Sequence, residues 1–182
     1  MNRENLMQLS AYARVDGGWV GGVWIISFFL FIGAFKSALL GNLSFLLGLV
    51  SLYVYGRRLR AFRNNALDGE MSMLRAYTHG LFTFFYAAVL MAGAQFLYFQ
   101  FFDHGYVMSA YMATLQKPEF KDLMTLNGIS AKDLDMAITG LQAMRPIDIT
   151  LQFLFSNLLL GAVLSLPFAA IMSRRKRVGT RR

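Results

Sequence analysis

The chain contains four long stretches without Asp, Glu, Lys or Arg, filled mainly with Phe, Leu and Gly. They cover residues Gly17–Phe35, Ser37–Gly56, Ala76–Phe102 and Ile149–Ser173. Crossing the hydrocarbon core of a membrane as a helix takes about 20 apolar residues, and a helix satisfies every backbone polar group within one segment. Four buried helices of a soluble bundle would need polar faces, which these stretches lack. The pattern therefore predicts an all-α membrane protein with four transmembrane helices.

We expect one four-helix transmembrane domain over residues 1–182. Its predicted spans are approximately 17–36, 42–57, 76–102 and 148–173. An extracytoplasmic helical insert covers residues 103–147, between the third and fourth spans. The first two spans are expected to form a tight antiparallel hairpin, because Gly41 and Asn42 between them are turn-forming residues.

Residues outside the spans also show helical periodicity. Residues 1–16 predict a short interfacial helix with Leu6, Leu9 and Ala13 on one face. In the insert, "YVMSAYMATL" predicts a short amphipathic helix, and Pro118 interrupts the chain after it.

A second short helix is predicted in the insert at "SAKDLDMAITGLQAM". Ser130 and Asp133 have the spacing of a capping box, with Asp in place of Glu. Pro146 is expected to end this helix. The helices of the insert would cap the bundle, lie on the outer leaflet or dock a partner.

Small and amide residues mark candidate contacts between helices. Gly17/Gly21 and Gly18/Gly22 form two overlaid G-x-x-x-G pairs, a spacing that lets helices approach closely, although glycine also suits a flexible span entrance. The candidate packing or interface residues are Gly17, Gly21, Gly48, Gln95, Asn157 and Gly161. The amides of Gln95 and Asn157 need partners in lipid, so they would either bond to a neighbouring helix or line a path.

The distribution of charge predicts the orientation. The termini and the segment after the second span carry 13 Lys and Arg against four acids, whereas the remaining connections carry five against six. The net charges of +9 and −1 add up to the +8 of the chain. Because Lys and Arg near span ends stay on the cytoplasmic side, both termini are expected in the cytoplasm.

Two arginine-rich segments are candidates for contact with anionic lipid headgroups. Their residues are Arg57, Arg58, Arg60, Arg63, Arg174, Arg175, Lys176 and Arg177. The alternative for the first group is a helix end stopped by positive charge. A nucleic-acid role for the basic tail is not expected, since the charges are clumped between long apolar runs.

The sequence shows no constellation for catalysis, a cofactor or a metal. His79 and His104 fall at opposite ends of the third predicted span, so they are not expected to share a metal ion. No acidic or basic residue is expected deep within a span, which weighs against proton- or ion-coupled transport. The chain has no cysteine, and therefore no disulfide is expected in the insert.

Three segments resemble a family of small four-span bacterial membrane proteins that carries only a domain-of-unknown-function label. They are "HGLFTFFYAAVLMAGAQFLYFQFFD", "NGISAKDLDMAITGLQAMRP" and "SLPFAAIMSRRKR". The resemblance covers nearly the whole chain. It implies a protein of the bacterial cytoplasmic (inner) membrane, and it carries over no catalytic residue.

Two functions remain open from the sequence. The first is a non-enzymatic subunit, adaptor or scaffold that acts through contacts with lipids, with its own copies or with another membrane protein. The second is an oligomeric transporter or channel for a small solute, with Asn157, Gln95 and Gln100 lining its path.

Overall fold

The computed structural model describes residues 3–173, and of Lys121 and Ala131 it describes the backbone alone. This part of the chain folds into seven α-helices. They are α1 (Arg3–Ala34), α2 (Ala38–Ala66), α3 (Met73–Phe101), α4 (Tyr106–Leu115), α5 (Pro118–Leu126), α6 (Ala131–Gln142) and α7 (Pro146–Met172). Within residues 3–173, four helices are long and apolar enough to cross a membrane: α1, α2, α3 and α7. The predicted all-α membrane fold, with short helices after the third span, is confirmed.

The first helix is longer than its apolar run. It begins at Arg3 and continues without a break through Gly17 and Gly18. The separate interfacial helix expected at residues 1–16 is therefore wrong, because the described part of that segment is the first half of α1. The face predicted there continues into the span, since Leu9, Ala13 and Val20 are all fully buried.

The turn between α1 and α2 lies earlier than predicted. The carbonyl of Gly33 accepts hydrogen bonds from the backbone N–H groups of Lys36 and Ser37, both at 3.0 Å. Gly41 and Asn42, which were expected in the turn, lie in the first turns of α2. A helix tolerates both residues at a modest cost.

Serine side chains join α1 and α2 along the hairpin. Ser27 Oγ donates to the Ser44 carbonyl at 2.9 Å, and Ser44 Oγ donates to the Ser27 carbonyl at 2.8 Å. Closer to the basic end of α2, Trp24 Nε1 donates to Ser51 Oγ at 3.0 Å. Small hydroxyl residues thus allow two apolar helices to pack closely and to satisfy their own polar groups.

Of the described residues, 3–92 and 153–173 together form one compact unit. Its core contains buried side chains from all four long helices and from the α2–α3 connection. They are Leu9, Val20, Tyr55, Leu59, Phe62, Met71, Ala76, Phe84, Ala87 and Ala169. Among the four long helices α3 is the most enclosed, with 44% of its most apolar window buried against 11% for α2. Much of the surface of α2 is therefore left to contact lipid or another protein.

Residues Gly93–Gln152 form the second compact unit, which contains the end of α3, the three short helices and the beginning of α7. The predicted cap of α6 is present: Ser130 Oγ accepts from the Asp133 backbone N–H at 3.1 Å and donates to Asp133 Oδ2 at 2.6 Å. Pro146 was expected to end this helix. It begins α7 instead, and α6 has already ended at Gln142. Proline is well suited to the first position of a helix, where its missing N–H has no partner to lose.

Candidate functional site

A buried carboxylate lies in the interior of α1. Asp16 is only 1% exposed, and it lies between Arg3 and Ala34 in a candidate membrane-spanning helix. The expectation that no acidic or basic residue lies deep within a span stays a prediction, since Asp16 lies one residue before the uncharged run that begins at Gly17. The structure adds that α1 extends beyond that run and that it buries Asp16.

Asp16 contacts a basic group on each of two other helices. Arg58 of α2 donates from Nε to Asp16 Oδ1 at 2.5 Å, and His79 Nε2 of α3 lies 3.2 Å from Asp16 Oδ2. The second contact is an ion pair only when the imidazole is protonated. Within residues 3–173 neither Asp16 Oδ2 nor His79 Nε2 makes a well-aligned hydrogen bond. The contact between these two atoms is therefore defined by their 3.2 Å distance alone. The carboxylate therefore connects three helices at one point.

The imidazole of His79 is enclosed by aromatic rings. It stacks on Phe62 with 4.7 Å between ring centroids and lies nearly parallel to Tyr55 at 6.4 Å. Its Nδ1 is 3.3 Å from the hydroxyl of Thr83, one helical turn further along α3. Either atom of this pair can donate. The Thr83 hydroxyl can therefore accept from Nδ1 when that nitrogen carries a proton and donate to it when it does not.

The hydroxyl of Tyr55 is buried beside the same cluster, and no described residue forms a hydrogen bond with it. It lies close to Gly80 and Ser165, since a Cβ on Gly80 would come 2.6 Å from Tyr55 Oη and 2.7 Å from Ser165 Cβ. Glycine is thus required at position 80. The Ser165 hydroxyl donates to the Gly161 carbonyl at 2.6 Å. The oxygen of Tyr55, like Asp16 Oδ2 and His79 Nε2, therefore retains unused hydrogen-bonding capacity inside the bundle.

The four arginines predicted to bind lipid in α2 divide into two classes. Arg58 pairs with Asp16, and Arg63, which is 6% exposed, donates to the Met172 carbonyl at the end of α7. Arg57 and Arg60 are exposed. The remaining candidates, Arg174, Arg175, Lys176 and Arg177, lie outside the described residues.

The two overlaid glycine pairs of α1 have different environments. A Cβ on Gly17 would lie 2.7 Å from the Thr83 carbonyl oxygen, and one on Gly21 would lie 3.2 Å from Ala87 Cα, so this pair packs against α3. A Cβ on Gly18 or on Gly22 would meet no atom of residues 3–173 within 4 Å. One pair is therefore used inside the molecule, and the other faces outward.

The other predicted packing residues are also divided. Gly161 is buried, and a Cβ there would lie 2.8 Å from Phe84 Cγ. At Gly48 a Cβ would meet no atom of the described part of the chain within 4 Å. Gln95 is 1% exposed, and its Oε1 has no hydrogen-bond partner among residues 3–173. Asn157 is half-buried.

The second histidine, His104, is exposed, and its Nδ1 contacts the Phe102 carbonyl oxygen at 3.0 Å. Among residues 3–173 no three His, Asp or Glu side chains are grouped closely enough to hold a metal ion.

Sequence reasoning missed the cluster around Asp16, although one signal of it was present. Leu9, Ala13, Asp16 and Val20 follow one another at intervals of four, three and four residues, which is the spacing of a single helical face. An acid on the apolar face of a helix indicates a buried and paired charge. The partners on α2 and α3 carry no comparable signal in the sequence.

A comparison with models of protein families finds a match over residues 16–174 to the family described as protein of unknown function (DUF4199). The comparisons with curated proteins and with solved structures find no match.

Proposed function

The chain belongs to the DUF4199 family of proteins of unknown function, and we propose that it is a non-enzymatic membrane subunit or scaffold. Its partner is a second copy of the chain or a helix of another membrane protein, and nucleic acid has no part in its role. We place it in the bacterial cytoplasmic membrane. The observation that carries the proposal is the outward glycine pair of α1, Gly18 and Gly22.

The outward glycines lie in a surface that suits a second helix. Without side chains at these positions, the backbone of another helix can approach closely and gain van der Waals contact. Large side chains flank the pair on the same face, with Val15 54%, Trp19 61% and Ile26 58% exposed. A second copy of the chain is the simplest partner, since a two-fold contact would use this surface on both molecules.

The test is self-association of full-length protein in liposomes, measured by energy transfer between two labelled populations. The G18L/G22L variant should weaken association by about tenfold, equal to about 1.4 kcal/mol. Both positions open onto free space, so the fold of the single chain should be unaffected. The matched control is G48L, the same substitution at a glycine of α2 that also opens outward. Equal association of wild type and G18L/G22L, or weaker association in G48L alone, would show that α1 is not the interface.

The buried Asp16–His79 contact favours a second candidate, an oligomeric transporter or channel. Ionisable groups inside membrane spans commonly belong to proton relays or ion paths, and Asp16 is almost fully buried. In this candidate Asp16 and His79 exchange a proton as the solute passes.

Proton flux into liposomes, followed with a trapped pH-sensitive dye, tests this second candidate. Wild-type protein should dissipate an imposed pH gradient faster than empty liposomes, and Asp16→Asn should abolish the difference because it cannot bind or release the proton. Asp68→Asn is the control, since Asp68 is exposed and its φ of 50° is one that Asn also adopts. Flux equal to that of empty liposomes for the wild type would rule out proton transport.

A further inference from the structure

A surface groove with a volume of about 300 Å³ lies between α2 and α7. Its apolar lining includes Leu52 and Gly56 from α2 and Phe168 and Met172 from α7. A Cβ on Gly56 would come 3.0 Å from Phe168 Cε1. Because Gly56 has no side chain, the ring of Phe168 can pack closely against the backbone of α2 and contribute to the lining of the groove.

The groove changes in polarity along its length. Leu52, Gly56 and Arg60 lie on successive turns of one face of α2, and about 12 Å separates the first from the last at 1.5 Å per residue. Leu52 lies in the uncharged part of α2, whereas Arg57 and Arg60 lie where the basic segment begins. One end of the groove is therefore apolar and the other end is cationic.

The two arginines of the groove are available to a ligand. Both are exposed, and within residues 3–173 the side chain of neither makes an ion pair or a hydrogen bond. Their neighbours Arg58 and Arg63 are bound to Asp16 and to the Met172 carbonyl. Of the arginines between 57 and 63, two thus hold the helices together while the other two border the groove.

We propose that the groove binds one anionic phospholipid molecule. Its phosphate lies between the guanidinium groups of Arg57 and Arg60, and an acyl chain lies on Leu52, Gly56 and Phe168. The planar guanidinium group matches phosphate oxygens in a bidentate arrangement. The apolar part of the groove lies on the side toward the middle of the span, which is the direction in which the acyl chain of a lipid points. This inference does not depend on self-association through α1.

The experiment is native mass spectrometry of the full-length protein in mild detergent, titrated with phosphatidylglycerol or with phosphatidylcholine of the same acyl chains. Wild type should retain one phosphatidylglycerol molecule in preference to phosphatidylcholine, whose ammonium group opposes the arginines. With about 1 kcal/mol for each arginine near a charged headgroup, R57Q/R60Q should bind phosphatidylglycerol about 30-fold more weakly. R57K/R60K keeps the charge but loses the bidentate fit, so its affinity should lie between those of wild type and R57Q/R60Q.

A matched control removes the same charge elsewhere. Arg3 and Arg14 are exposed on α1, and R3Q/R14Q should bind phosphatidylglycerol as wild type does. An equal loss in R3Q/R14Q and R57Q/R60Q would mean diffuse electrostatic attraction and would overturn the proposal. Equal retention of the two lipids by wild type would also overturn it. Displacement of the bound phosphatidylglycerol by an equal concentration of inorganic phosphate would overturn it as well. Inorganic phosphate makes no contact with the apolar half of the groove, so it should bind more weakly than the lipid.

Discussion

The carboxylate of Asp16 is almost inaccessible to solvent, so the cost of burying it must be offset by the groups that surround it. Removing a carboxylate from water costs several kcal/mol unless charged and hydrogen-bonding groups compensate it. Arg58 supplies one such group, and its side chain is 36% exposed. Part of the Asp16–Arg58 attraction is therefore screened by solvent. His79 supplies the second group, at zero exposure.

The asymmetry of this cluster leads to a prediction about stability. Arg58→Leu should lower the free energy of unfolding by about 3 kcal/mol, because it leaves Asp16 buried beside His79 alone. The double variant D16L/R58L should recover much of that loss, since it removes the uncompensated charge as well. Unfolding in mixed micelles, followed by Trp fluorescence, measures both.

The control for that experiment is Arg57→Leu, one residue earlier on the exposed side of α2. In micelles without anionic phospholipid, an exposed side chain that makes no hydrogen bond or ion pair within residues 3–173 should change the free energy of unfolding by no more than about 0.5 kcal/mol. If Arg57→Leu and Arg58→Leu were equally destabilising, the burial of Asp16 would not be the cause.

At the scale of the helices, the sequence predicts their existence better than their ends. Long uncharged runs predict the four spans because lipid admits few other structures. Charged residues do not stop a helix, however, and α2 continues through its arginines to Ala66. In the same way α1 begins at Arg3, since most residues of the preceding segment are compatible with a helix. Pro146 shows the opposite ambiguity, because proline both follows helices and begins them.

The faces through which the helices pack against one another are harder to predict from the sequence. Both glycine pairs of α1 have the spacing of a helix contact, and only the arrangement of α1 against α3 shows that Gly17 and Gly21 are used internally. The site around Asp16 has the same limitation. Its acid lies on a recognisable apolar face, but Arg58 and His79 reach it only through the packing of three helices. A periodic pattern in one helix contains no information about which neighbour it will contact.

At the scale of the whole molecule, the two sides of the predicted membrane topology differ in net charge. The termini and the α2–α3 connection together carry a net charge of +9, and the other connections carry −1. The burial of Asp16 against Arg58 removes one charge of each sign from the first group and leaves +9 unchanged. The difference in net charge between the two sides, on which the predicted orientation rests, is therefore the same when the buried Asp16–Arg58 pair is not counted.

This asymmetry predicts that both termini lie in the cytoplasm and that the short helices α4–α6 lie outside it. A reporter that is active only in the cytoplasm should function when it is fused after Arg182 and should fail when it is inserted at Gly128, in the turn between α5 and α6. A reporter that is active only outside the cytoplasm should give the reverse result, and this pair serves as the internal control. In the predicted topology the four long helices alternate in direction across the membrane, so the opposite pattern would place the arginines of α2 on the outer surface. The charge argument would then be wrong, whereas the contacts of Asp16, Arg58 and His79 within the bundle would stand.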